Sequence, residues 1–404
     1  MDALQNATHD VQTQTQTQTQ VQTKAKTLRE KAEELVGQGR HAEGLEVLET
    51  ALAALSTSET EEASAIVASI ANVHWTEGRP KEAKSRFETL IKATTDALGE
   101  HDPAVIQTIF AAGHACAESR HFSEAAEFFH KVLRTDDLDA EMAVRATWAL
   151  AKVFDEECNF DEAQKFYEKA LEMEQLRTGA KDAEILLAIA DLKRSQEQYD
   201  EALVCYKEVA NMYRGHALDS QQAFASLSPV LHAIGGVYEA QNRADEAIVT
   251  YTELVERAKT VLGARHAQVA TLLSEVAWRC LQAEYHAQAL EFYAQALVIR
   301  KEDEKGLQSL SVAFTLDPMA KAYAALGRRI EEIECLDEAL CIWKKNRGPR
   351  DAIVARTLQR IGQAHMALRQ WERAKASLAE AFDMHPSMPG LREDVEKSEH
   401  AAAV

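Results

Sequence analysis

Glycine and proline are scarce, 16 and 7 of 404 residues, and aromatic residues make up only 6 %. So few turn formers, in a chain dominated by Ala, Glu, Leu and Gln, read as an all-helical protein. No apolar run reaches the roughly 18–20 residues that span a bilayer. The first residues carry Asp2 and Asp10 and lack an apolar h-region, which argues against a secretory signal or an Arg-rich presequence. The terminal Ala-Ala-Ala-Val matches neither a prenylation box nor a peroxisomal address. These absences lead to the expectation of a soluble, cytoplasmic protein.

Cysteines number six (116, 158, 205, 280, 335, 341), are dispersed, and never form Cys-x-x-Cys. Cys335 and Cys341 stand six apart and would point to different helix faces, so small buried hydrophobes are expected rather than disulfides or metal ligands. His-Glu-x-x-His and zinc-spaced Cys/His sets are missing. The nearest thing to a phosphate loop is Gly235-Gly236, in a helical context. In Gly113-His114-Ala115-Cys116 the His and Cys diverge in direction. No catalytic constellation remains, and the expectation is a non-enzyme without metal, cofactor or small-molecule substrate.

Positive charge is also short. Lys and Arg total 45 against 65 Asp and Glu, a net charge of −20. Residues 1–250 hold 24 basic against 43 acidic side chains, residues 251–404 hold 21 against 22. An acidic surface repels phosphate backbones and disfavours general nucleic-acid binding, whereas it suits a basic partner.

What the chain does have is a period. Alanine recurs at 83, 125, 163, 202, 247, 289 and 374, each followed four residues later by Phe87, Phe129, Tyr167, Tyr206, Tyr251, Tyr293 or Leu378. The spacings are 42, 38, 39, 45, 42 and 85, the last hiding one degenerate copy. Twelve residues before the alanine position lies a second small residue in nine units: Ala32, Ala71, Gly113, Ala151, Ala190, Gly235, Ala277, Ala320 and Gly362. A fixed period of this length means stacked supersecondary units. Each unit reads as helix A, a short turn, then helix B opening on acidic residues that complement the dipole and cap free N–H groups. Small residues at both places let the two helices approach closely, and the bulky residue wedges into the gap.

This spacing of small and aromatic residues resembles the tetratricopeptide repeat (TPR). Pro386 falls on that family's position 32 in the last unit. The units are long, near 42 residues, and with linkers such as Leu98–Val105 and Leu262–Val269 they resemble the kinesin-light-chain type. The heptad coiled coil that leads kinesin light chains has no counterpart before the repeats. The resemblance implies a right-handed α-α superhelix of about nine helix pairs over residues 24–386. A Gln/Thr tract at 1–22 is expected to be disordered, and 387–404 to form a capping helix and tail. Asp102 and Pro103 should start one helix A. In the eighth unit Glu332 replaces the small residue, and Asp317-Pro318 reads as a later start of helix A. In the sixth, residues 219–228 ahead of Pro229 read as a longer loop.

In such superhelices, positions 2, 5 and 9 of helix A face the concave groove. Here the resemblance places Gln107, Phe110, His114, Arg145, Trp148 and Lys152 there, with Leu187 and Asp191 continuing the row. An exposed Phe and Trp beside Arg and Lys have the composition of a binding hot spot. A second set comprises Trp278, Lys321, Arg356, Gln359 and Arg360, near a basic loop of Lys344, Lys345, Arg347 and Arg350. The Lys and Asn set that clamps chaperone carboxylates is absent apart from Asn72, and the Asn that reads peptide backbones is replaced at position 6. Alanines there (Ala111, Ala149, Ala188, Ala233) favour a helix lying in the channel. The resemblance therefore implies a scaffold or adaptor holding a helical or extended partner segment. A sensor array acting on a separate switch protein, or an RNA-binding array, are the alternatives.

Overall fold

The computed structural model describes residues 21–55, 60–215, 221–302 and 309–402. Among them every regular element is an α-helix, and none is long and apolar enough to cross a membrane. The chain divides into two compact units, Met1–Gln198 and Tyr199–Val404. In the first, α1 (21–37) precedes α2 (His41–Ala53), α3 (Thr60–Thr76) precedes α4 (Pro80–Leu98), and α5 (Pro103–Glu118) precedes α6 (Phe122–Leu133). Helices α7 (Ala140–Glu156), α8 (Phe160–Thr178) and α9 (Ala183–Ser195) complete it. The second unit holds α10 (Tyr199–Gly215), α11 (Gln221–Ala240), α12 (Ala244–Leu262), α13 (Ala267–Gln282) and α14 (His286–Glu302). It ends with α15 (Leu310–Ala325), α16 (Arg329–Arg347), α17 (Ala352–Ala367), α18 (Trp371–Met384) and α19 (Leu391–Ala402). The Gln/Thr tract lies outside the described residues, except that Val21 and Gln22 open α1.

The repeat logic is visible at each A–B seam. The small residues of helix A and the helix-B alanines are buried, as are the aromatic wedges. A Cβ added to Gly113 would stand 2.7 Å from Phe129, and one on Gly362 would stand 2.5 Å from Leu378. Helix A thus touches the bulky residue of its own helix B directly. Some neighbouring A helices also touch each other, α3 on α5 and α5 on α7 in the first unit and α13 on α15 in the second, and so form part of an inner row.

Helix A and helix B start differently. Asp102, Asp139, Asp182, His266, Ser309 and Asp351 all cap a helix A through their side chains, and Pro103 follows Asp102. The residues before helix B make no such bond, as at Arg40, His121, Arg243 and Gln370. There the first-turn acids act, and the carboxylates of Glu246 and Glu331 bond their own backbone N–H.

Two elements differ from the sequence expectation. Helix α15 runs from Leu310 through Pro318, with Ser309 as its cap, so Asp317 is not a helix start. Residues 221–228 are helix α11, not loop, and Pro229 lies inside it. In both, the apolar stripe continues upstream of the proline: Val312 and Leu316 in α15, Phe224 and Leu227 in α11, all buried. Their burial offsets the backbone bond that each proline removes. Glu332 is buried to 5 % exposure at the small-residue position, its carboxylate held by Arg329 at 2.7 Å.

Candidate functional site

Helices α5, α7 and α9 carry the inner-row residues of the first unit. Gln107 and His114 are exposed on α5, but Phe110 between them is 4 % exposed. This corrects the expectation of an exposed anchor. The Phe110 ring packs 5.5 Å from Phe129 and edge-on 4.8 Å from His114, and the Arg145 guanidinium covers it at 4.9 Å. Helical period places Phe110 on the right face, while cover from its own helix B and from the next repeat sets its depth. Desolvation against these rings pushes the His114 imidazole below its ordinary value although one edge stays in solvent; Lys152 and Arg145 add repulsion.

Trp148 on α7 is half-buried, with the Lys152 ammonium 4.9 Å over its ring. Its indole Nε1 is covered and has no hydrogen-bond acceptor. Beside it lies a cleft of about 180 Å³ whose walls are Val144, Arg145, Ile185 and the acidic residues Glu141, Glu174, Asp182 and Glu184, with Arg177. The structure therefore brings Phe110, His114, Arg145, Trp148 and Lys152 into one cluster. Leu187 is half-buried on α9, and Asp191 pairs with Arg194 at 3.0 Å.

The second unit distributes its candidates more widely. Trp278 is 52 % exposed at the edge of a cleft of about 360 Å³ shared with Asn242, Ile248 and Arg279. Asp317 draws in both Arg360, by direct hydrogen bond, and Lys321, at 3.7 Å. Arg356 is exposed on α17. Gln359 is 8 % exposed and donates to Asp394 at 3.0 Å and to the Pro389 carbonyl at 3.2 Å, which makes it a tie to α19. Lys344, Lys345 and Arg347 form the last turn of α16 rather than a loop, and Lys344 pairs with Glu380 at 2.7 Å. Arg350 stands 3.7 Å from Asp383.

Sequence reasoning missed Phe314, which is 56 % exposed and meets Trp343 edge-on at 4.9 Å. The signal was available: Phe314 precedes Ala320 by six residues, as Gln107 precedes Gly113. A helix start at Pro318 leaves Phe314 outside the helix, whereas α15 begins at Leu310.

The seam geometry and the inner row define a helical-repeat array, and part of the chain matches a known repeat family. Residues 143–215 and 226–302 match the tetratricopeptide repeat family. Over these residues the chain carries tetratricopeptide repeats, and its long units resemble the kinesin-light-chain type. Such repeats generally mediate protein–protein interaction. Among solved structures it is similar to BtubC (BKLC) from P. vanneervenii: 18 % identity, 67 % of this chain and 90 % of that one, TM-score 0.36. It is also similar to a putative kinesin light chain from Podosopora anserina: 17 % identity, 50 % and 95 %, TM-score 0.40. A third is the C-terminal part of a TPR repeat-containing protein from Cytophaga hutchinsonii: 13 % identity, 71 % and 99 %, TM-score 0.49. No curated protein matches the chain.

Proposed function

We propose that the protein is a non-enzymatic scaffold or adaptor that holds a segment of another protein on the inner row of α5, α7 and α9. The observation that carries this reading is Trp148, a half-buried indole at the lip of a cleft, flanked by Arg145 and Lys152. Tryptophan and arginine are enriched among the few residues that carry most of the binding energy of protein interfaces. Phe110 packs beneath Arg145, and Gln107, His114 and Leu187 extend the proposed site along the row. None of the six cysteines is in a disulfide, which fits the reducing cytoplasm as the place of action.

The test is Trp148→Ala in the full chain. Capture of partners from lysate, read by mass spectrometry and then by titration, should weaken roughly thirtyfold, about 2 kcal/mol. Helicity and the melting midpoint should stay near wild type, because the ring is only half-buried. Undiminished capture by the folded variant would move the site to the exposed aromatics of the second unit, Trp278 and Phe314, with Lys321, Arg356 and Arg360 near them.

A further inference from the structure

The cleft beside Trp148 has a charge as well as a shape. Four carboxylates line it, Glu141, Glu174, Asp182 and Glu184, against two guanidiniums, Arg145 and Arg177. Arg177 is already engaged, donating to Glu174 at 2.9 and 2.7 Å. Arg145 lies over the Phe110 ring. Asp182 accepts from the backbone N–H of Glu184 and Ile185, both at 2.9 Å, and so caps α9. Glu141 and Glu184 are exposed, and neither forms an ion pair among the described residues. The balance at the site is therefore negative.

At about 180 Å³ the cleft is smaller than the roughly 300–1,000 Å³ of small-molecule pockets, and it admits a single long side chain. Its lining includes apolar surface, from Val144, Trp148 and Ile185, as well as the carboxylates. A lysine or arginine matches both parts, laying its methylene stem on apolar surface and its charge among carboxylates. The covered indole N–H adds a donor without an acceptor, which a partner's backbone carbonyl satisfies if the ring turns.

We propose that this cleft takes a lysine or arginine side chain, so that the site selects basic partner segments. The inference rests on the reading that Trp148 marks the partner site. Charge complementarity supports it at longer range, because the acidic excess of the chain is concentrated in residues 1–250. That field steers basic segments toward the first unit and repels acidic ones.

The test is an array of synthetic peptides of one length, running from acidic to basic, probed with the full chain at low and physiological salt. Capture should rise with positive charge and fall with salt. It should weaken at least about tenfold in Glu141→Lys/Glu184→Lys, and in Trp148→Ala. Both glutamates are exposed, so the folded state of the charge variant is checked by circular dichroism, with Glu141→Gln/Glu184→Gln as a milder pair. Capture that needs Trp148 but ignores peptide charge or the Glu141/Glu184 changes overturns the basic preference and leaves the site standing. A preference for acidic peptides overturns it as well. Capture indifferent to Trp148→Ala removes the site itself, and an array with no capture removes both.

Discussion

At Gly235 a Cβ would stand 2.3–2.8 Å from three ring atoms of Tyr251, closer than any side chain tolerates. The next residue, Gly236, has nothing within 4 Å of the same construction. Alanine normally improves a helix over glycine by about 0.5–1 kcal/mol, since it loses less backbone entropy on folding. Gly236→Ala should follow that rule and stabilise. Gly235→Ala should reverse it, losing about 1–3 kcal/mol through overpacking against a ring with no free space. Urea denaturation of the two variants, read from midpoint at constant slope, checks the pair of opposite signs. This part of the fold was legible because the small-residue and wedge positions recur nine times with one spacing. Phe110 was not equally legible. Period assigns a side chain to a face, but its 4 % exposure comes from Arg145, a residue of the next repeat, and from Phe129, a residue of its own helix B.

Each turn from helix A to helix B contains one residue with positive φ, placed two before helix B: Gly39, Gly78, Arg120, Cys158, Glu197, Asn242, Glu284, Gly327 and Arg369. The next N–H reaches back to a carbonyl five residues earlier, for example Tyr285 to Cys280 and Arg243 to Tyr238, both at 2.8 Å. This is a Schellman ending, which satisfies last-turn carbonyls and redirects the chain. Six of the nine residues are not glycine, and a side chain in the left-handed region costs roughly 1–2 kcal/mol. Glycine would relieve that strain and return part of the gain as unfolded-state entropy. Glu284→Gly should therefore raise the melting midpoint by the equivalent of up to about 1 kcal/mol. Asn242→Gly should gain less, since asparagine already visits this region readily. No gain at Glu284 would mean that its side chain contributes a compensating contact. The helices themselves were legible from apolar spacing, whereas the starts of α11 and α15 were not. A proline signals a helix start by local rule, and only burial of Phe224, Leu227, Val312 and Leu316 upstream shows that packing overrode it.

Over the whole chain, the response to acid separates the two units. In the first, burial holds His74, His114 and His130 below the ordinary imidazole value. In the second, a hydrogen bond to Glu275 raises His232. His74 is 5 % exposed in the last turn of α3, with neither ring nitrogen hydrogen-bonded. The helix C-terminus would favour its cation, yet desolvation prevails, and Arg79 just before α4 and Arg86 on it oppose the charge more than Glu82 and Glu49 support it. A group whose folded pKa is depressed contributes stability that is complete above its unfolded value, about 6.5, and lost as pH falls through the folded one. His232 has the opposite sign: its contribution is complete below the unfolded value and lost as pH rises through the folded one. Repeat arrays transmit strain mainly to neighbouring units, so the loss should stay local. Below about pH 6.5, amide protection measured by hydrogen exchange should fall first in α3 and α4, while α11 and α13 keep theirs. His74→Phe should flatten that response, since an aromatic fits the equivalent places: Tyr238 stands three residues after Gly235 and Tyr323 three after Ala320. Protection that falls equally in both units, or that falls in α3 whether or not His74 is present, would show that titration of the many surface carboxylates governs acid stability instead.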